Sequence, residues 1–301
     1  MTTPLICVLG DLIEDVVVRP AGPVRYGSDV SATIVRRQGG SAANVARAVA
    51  GLGARARFAC RVGADPLGDR LVAEMSSARV DVRAEREGRT GSIVVLVDHD
   101  GERTMIRDRG SSGEVGLPSG DWLDGADALH LTLYTFEEPP GRATAMAVAA
   151  QARTRRIPCS LVLSSVAVLE AMGRPGVDSL LAEACPDIVL ANDDEARWLG
   201  VTRRPRPELA TLVITRGARP ALLWQDGQCV DVDAVAGVDA ADTTGAGDAF
   251  AAGFLVARAS GSDLVGSVRA GHKAAASRLA RQSRRPRAVG GGPGHPAEGA
   301  S

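Results

Sequence analysis

The chain has 301 residues, 45% hydrophobic and 24% charged, with a formal net charge of −1. That composition fits a folded chain of one large domain with room for a small appendage, and excludes a largely disordered one. The near-zero net charge provides no general attraction to nucleic acid or a membrane surface. Five widely spaced cysteines without a C-x-x-C pair speak for a reduced compartment and against a zinc site or disulfide framework.

The opening MTTPLICVLGDL has no basic n-region and only a short apolar run. Neither a signal peptide nor a membrane span is expected, so the chain reads as cytoplasmic. LICVLG (5–10) is a buried strand whose end delivers Asp11 and Asp15. Carboxylates accept hydrogen bonds from neighbouring hydroxyls, so these two suit a sugar-like ligand as well as a solvated loop. EDVVVRP (14–20) and SATIVRR (31–37) have no helix between them and read as paired strands. Next, the pair Gly39 and Gly40 leads into a helix over 41–53, with Val45, Val49 and Leu52 as its buried stripe. Asn44 in its first turn can serve a polyhydroxylated ligand or act as a cap. GLGARA (51–56) matches a dinucleotide fingerprint by letters, but it follows a helix and precedes a strand, the reverse of the required order.

RFACRVG (57–63) is the next strand, followed by a helix over 65–78. GSIVVLVD (91–98) and ERTMIRD (102–108) form a second helix-free pair around a DHDG turn. These two pairs predict a small separate sheet, from about 12–38 and 90–110, projecting as a lid from a domain spanning 1–288. ALHLTLY (128–134), a helix over 141–155, CSLVLS (159–164), DIVLAN (187–192) and LVITRG (212–217) restore the alternation of strand and helix. Near-continuous apolar strands separated by helices predict a doubly wound, mostly parallel α/β sheet with helices on both faces. Ligands are then expected beyond the carboxyl ends of the strands. In ANDDEARWLG, Asn192 and Glu195 share a helical face at a strand end and could hold Mg²⁺ through water. VTRRPRPELA (201–210) is too short and proline-rich for a full helix. The basic stretch RQSRRPR (281–287) reads as a solvated helix end or an anion contact, and the residues from 289 on as a flexible tail.

DTTGAGDAF (242–250) carries the most chemistry. Phe250, Phe254 and Ala257 recur at helical spacing, so a helix begins near Gly245. Gly245, Ala246 and Gly247 then occupy a first turn whose amides lack intrahelical partners, an anion hole suited to a phosphate in transfer. Asp248 would repel such a ligand unless its task is to accept a proton from a hydroxyl nucleophile; otherwise it simply complements the helix dipole. No Walker A loop occurs anywhere in the chain.

GGSAANVARAVAGLGARARFACRVG (39–63) and DTTGAGDAFAAGFL (242–255) together resemble the two signatures of the ribokinase family of carbohydrate kinases, the phosphofructokinase-B type. VGADPLGDRL (62–71) and VITRGA (213–218) are similar to further family segments, so the likeness covers about residues 5–285. The resemblance implies a ribokinase-like fold with a β-sheet lid and ATP-dependent phosphorylation of a hydroxyl of a small sugar or sugar acid. It implies Asp248 as base, the Gly245–Gly247 stretch as anion hole, and Asp11, Gly39, Gly40 and Asn44 as sugar contacts. It implies that Asn192 and Glu195 serve the phosphate and Mg²⁺ region, that Thr215 and Gly217 border the nucleotide, and that Asp242 is the candidate ligand for a monovalent cation such as K⁺. His272 aligns with a helix position that contacts adenine in relatives, or is structural. An exposed lid sheet could pair two subunits. The chain departs from family patterns at Ser41, near a usual lysine, at Arg219 and Pro220 in place of a glycine, and at CSLVLSS, which lacks a terminal aspartate. The alternatives are a nucleoside kinase of the same fold and a non-catalytic sugar-binding regulator.

Overall fold

Residues 3–98, 100, 102–202, 209–235 and 243–283 are described by the computed structural model. Strand β1 (Leu5–Leu9) is buried along its whole length because both of its faces are covered: Leu5, Cys7 and Leu9 enter one core layer, Ile6 and Val8 the other. β2 (Ile13–Pro20) and β3 (Ala32–Gly39) pair antiparallel, after which α1 (Ser41–Gly51) returns the chain to the large sheet. β4 (Arg55–Val62), α2 (Pro66–Ser77) and β5 (Val80–Arg86) complete a parallel unit on one side of β1. Asp65 caps α2 by accepting from Gly68 N at 2.8 Å and also holds Thr90, tying the helix to the second hairpin.

That hairpin is β6 (Thr90–Val97) with β7 (Arg103–Gly110). The main sheet resumes with β8 (Ala128–Thr132), α3 (Pro139–Thr154), β9 (Cys159–Val162), α4 (Val166–Ala184), β10 (Ile188–Asn192), α5 (Asp193–Leu199) and β11 (Thr211–Arg216). It ends in an antiparallel edge, β12 (Arg219–Gln225) and β13 (Gln228–Val232), before α6 (Ala246–Ala259) and α7 (Leu264–Ser283).

The nine-stranded sheet has the order β13-β12-β11-β10-β9-β8-β1-β4-β5, and the four-stranded sheet β3-β2-β6-β7. Helices α3, α4 and α5 cover one face of the large sheet, and α1, α2, α6 and α7 the other. The doubly wound, mostly parallel arrangement agrees with the alternation read in the sequence. α6 and α7 approach closely because Gly253 has no side chain, since a Cβ there would lie 2.6 Å from Ala270 O.

Several elements differ from the sequence reading, for physical reasons. β5 and β13 carry many exposed polar residues, being the edge strands of the large sheet, and β12, one strand in, alternates buried Ala221 and Leu223 with less buried neighbours, so none of the three has the continuous apolar run that marks a central strand. α4 is interrupted at Gly173, φ 68, next to Pro175, so no uninterrupted helical period runs through it. Leu52 is not part of the α1 stripe: the helix ends at Gly51 and Leu52 is 47% exposed, whereas Val45 and Val49 are fully buried. Residues 203–208 of the proline-rich stretch, the basic run from 284 and the tail lie outside the described residues.

Candidate active site

β1 lies between β4 and β8, so the strand order reverses there, and open α/β sheets bind ligands at such a reversal. The carboxyl ends of β1, β8, β9, β10 and β11 and the N-termini of α1 and α6 enclose a cavity of about 320 Å³ at this place. Ligand pockets begin at roughly this size.

Asp248 is the third residue of α6 and lines the cavity. Its two carboxylate oxygens accept from two α1 side chains, Oδ1 from Ser41 Oγ at 2.7 Å and Oδ2 from Asn44 Nδ2 at 2.9 Å. Burial pushes its carboxyl above the ordinary range, opposed by these two donors and by the charge of Arg278. The role of Asn44 as a cap is not realised, because Gly40 occupies the N-cap of α1 and Asn44 spends its amide on Asp248. Ser41, noted in the sequence only as a departure, is thus a direct partner of the same carboxylate.

The α6 entrance is built from glycine for two different reasons. Gly245 is the N-cap in the left-handed region, φ 73, which side-chain-bearing residues adopt only with strain. Gly247 faces open space: a Cβ there would meet no atom within 4 Å. Ala246 differs from the expectation that all three amides point at one anion, because its N–H is already donated to Thr243 O at 3.1 Å.

Asp11 and Asp15 both line the cavity, and burial pushes both carboxyls upward against the nearby charges of Arg109 and Arg37. Arg109 of β7 donates to Asp11 Oδ1 at 2.6 Å. Gly39 and Gly40 are needed where α1 begins beneath these residues: a Cβ on Gly39 would lie 2.1 Å from Asp15 Oδ1, and one on Gly40 2.3 Å from Asp11 O. The small sheet contributes Ile93, Arg103, Met105, Arg107 and Arg109 to the wall. Sequence reading missed these arginines, although their alternation along β7 was a usable signal.

On the far side, Asn192 and Glu195 line the cavity and form a capping box at the start of α5. Asn192 Oδ1 accepts from Asp194 N and Glu195 N, while Glu195 accepts from Asn192 N at 2.9 Å and Nδ2 at 2.8 Å. Glu195 is 2% exposed, and burial pushes its carboxyl up to about 7. Thr215 lines the cavity at the end of β11, whereas Gly217, φ 64, turns the chain from β11 into β12 and is not part of the lining. His272 stands behind the wall, edge-on to Phe250 with ring centroids 5.2 Å apart, its Nε2 buried without a hydrogen-bond partner. Asp242 lies outside the described residues.

No group of three or more His, Cys, Asp or Glu suited to a metal occurs among the described residues. Both Glu195 oxygens are engaged by Asn192, so this pair fits an ion held through water rather than directly.

Residues 3–286 match the sequence profile of the pfkB family carbohydrate kinases. A fructokinase of Salmonella typhimurium is 30% identical over 275 residues, 84% of this chain and 83% of that protein. An ATP-dependent ribose-1-phosphate kinase of Halopiger xanaduensis is 34% identical over 237 residues, 72% of each chain. Among solved structures, an adenosine kinase from Sinorhizobium meliloti superposes with a TM-score of 0.79 at 23% identity, over 94% of this chain and 100% of that one. An uncharacterized sugar kinase of Pyrococcus horikoshii in complex with ATP gives 0.76 at 25% identity, over 90% and 91%. The ribokinase-like architecture, the paired signatures set against each other across one cavity, and a profile match over nearly the whole length agree: the chain belongs to the pfkB family of carbohydrate kinases, phosphotransferases that act on a sugar hydroxyl.

Proposed function

We propose that the chain transfers the γ-phosphoryl group of ATP to a hydroxyl of a small sugar or sugar acid, with Asp248 as general base. The observation that carries this reading is the placement of the Asp248 carboxylate at the mouth of α6, oriented by Ser41 and Asn44 and adjacent to first-turn amides. A carboxylate whose protonation is shifted toward neutrality is a better proton acceptor for an alcohol than one in water. The amides of Gly245 and Gly247 form the anion hole, with the open space over Gly247 taking a phosphoryl oxygen. Asp11, Asp15, Gly39, Gly40 and Asn44 form the sugar side. Phosphoryl transfer needs positioning and charge stabilisation more than covalent help, and this inventory supplies both.

ATP enters from the side of Asn192, Thr215 and Gly217, with His272 supporting Phe250 at the base end; the Pyrococcus relative in complex with ATP supports a nucleotide in this fold. Mg²⁺, carried on the phosphates and reached through water by Asn192 and Glu195, would offset the charge of the transferred group. K⁺ near Asp242 is the remaining cofactor proposal. The small sheet acts as a lid that excludes water, which would otherwise compete as acceptor. A sugar is favoured over a nucleoside as acceptor because the Arg107 guanidinium already lies over the Tyr134 ring, 5.9 Å from its centroid, leaving that face closed to a stacking base.

Asp248→Asn tests the assignment. It is expected to bind ATP and sugar nearly as the wild type does while losing at least ~10²-fold in turnover. Near wild-type turnover removes Asp248 from the chemistry.

A further inference from the structure

Asp248 is held by a chain of donors that begins outside the cavity. Gln38, the penultimate residue of β3, is 8% exposed and is not part of the cavity lining. Its Nε2 donates to Gly39 O at 3.0 Å and to Asn44 Oδ1 at 3.3 Å, and its Oε1 accepts from Nη1 of the exposed Arg47 at 3.4 Å. Two of these partners leave no choice of orientation, since a backbone carbonyl only accepts and a guanidinium only donates. The Gln38 amide is therefore fixed with its NH₂ toward Asn44 Oδ1, which directs Asn44 Nδ2 to Asp248 Oδ2 at 2.9 Å. From Arg47 through Gln38 and Asn44 to Asp248, three hydrogen bonds run in one direction, from a cation to a carboxylate, and polarise one another.

The fixed orientation matters because the two ends of an Asn amide are nearly equal in shape. An ionised Asp248 selects the NH₂ end by itself, but a protonated one can donate to the oxygen end instead. Gln38 closes that alternative, so the donor stays on the form able to take a proton. β3 belongs to the small sheet, whereas Asn44 and Asp248 sit at the starts of helices packed on the large sheet, so this contact joins lid to base.

We infer that Gln38 is a positioning residue of this chain: from outside the cavity it locks the Asn44 amide as a donor to Asp248 and keeps that carboxylate turned to receive the proton. The inference rests on the reading of Asp248 as general base.

The charged groups facing Asp248 are Arg278 of α7, which favours its ionised form, and Asp15 of β2, which opposes it. α1 faces it with the neutral Ser41 and Asn44, and Asp11, Glu195 and the arginines of β7 line the same cavity. A change at Gln38 replaces none of these.

The test is a double-mutant cycle on the full chain, Gln38→Met and Asn44→Ala singly and together. ADP release gives kcat and the pH profile of kcat/KM with whichever of fructose, ribose or a keto-sugar acid is turned over fastest. In parallel, ¹³C NMR follows the carboxyl titration of Asp248, identified by its loss in Asp248→Asn. Gln38→Met should lower kcat about 5- to 10-fold and move the acid limb and the titration to higher pH, because the ionised form loses its fixed donor. In the Asn44→Ala background the same substitution should change kcat by less than about twofold and leave limb and titration in place, as expected of a residue that acts through Asn44. Additive losses, or a limb and titration that Gln38→Met leaves in place, overturn the inference. If Gln38→Met does not fold, Gln38→Glu keeps the size and an acceptor for Arg47 but loses the donor; an effect on the titration that shrinks in the Asn44→Ala background supports the inference, and an undiminished one overturns it. Near wild-type turnover in Asp248→Asn removes the base reading alone, since the titration still reports whether Gln38 acts on Asp248 through Asn44.

Discussion

Asp248 and Asn44 were legible as candidates because each sits in a short motif at a helix start. Their pairing was not, nor that of Ser41 with Asp248, since Asn44 and Asp248 are 204 residues apart in sequence, Ser41 and Asp248 207, and they meet only when α1 and α6 pack side by side. The Ser41 hydrogen bond favours the ionised form of Asp248 and so holds its protonation down against burial. Removing it raises the carboxyl further. Because the base must be ionised to act, Ser41→Ala should move the acid limb of the kcat/KM profile to higher pH, with the loss shrinking as pH rises. A limb that stays in place would show that the hydroxyl does not tune the base. Glu195 offers a separate check on stability. Its carboxyl rises from 4.5 to about 7 in the fold, so its contribution is full below about 4.5 and is lost as pH climbs through about 7. Glu195→Gln should flatten that part of the stability–pH curve in chemical denaturation, whereas an unchanged slope would place the dependence elsewhere.

The elements differ in how much of themselves they disclose. Central strands such as β1 and β10 announce themselves by continuous apolar runs, since both faces are covered, while the edge strands β5 and β13 meet solvent and mix their residues. β7 disclosed its strand character but not its task, because arginines at alternate positions acquire meaning only once their face is known to look into a cavity. The two glycine turns allow a sharper test. Gly40→Ala forces a Cβ against the Asp11 carbonyl at a φ of 98, two costs of about 1–3 kcal/mol each, and should lower the melting temperature by several degrees. Gly247→Ala meets no protein atom and suits a helix, so its stability should hold or rise by up to ~1 kcal/mol while turnover falls. Equal stability losses in the two variants would contradict the distinction drawn between a packing glycine and a ligand-facing one.

At the scale of the molecule, the reversal of strand order at β1 gathers side chains from both ends of the sequence. Asp11 arrives with the first strand, Asn192 and Thr215 with strands across the sheet, and Asp248 with the penultimate helix. The alternation of elements was enough to expect this meeting place, and the two helix-free strand pairs to expect a small sheet as its lid, but not which side chains of that sheet enter the wall. The outer face of that sheet shows Ile34 at 58% and Ile106 at 61% exposure, with Val16, Val18, Val94 and Leu96 sharing the same side by register. We propose that this face joins two copies of the chain. Light scattering should then give twice the chain mass, and Ile34→Asp/Ile106→Asp the mass of one copy; a wild-type monomer at micromolar concentration removes the proposal.

The most direct measurement of the central claim is ADP release by the full chain with Mg-ATP over pentoses, hexoses, sugar phosphates, sugar acids and nucleosides, with and without K⁺. Release is expected to be stimulated by a sugar or sugar derivative and to fall to ~10⁻² of wild type or less in Asp248→Asn. Stimulation by nucleosides alone, or no stimulation by any sugar while ATP still binds, would contradict it.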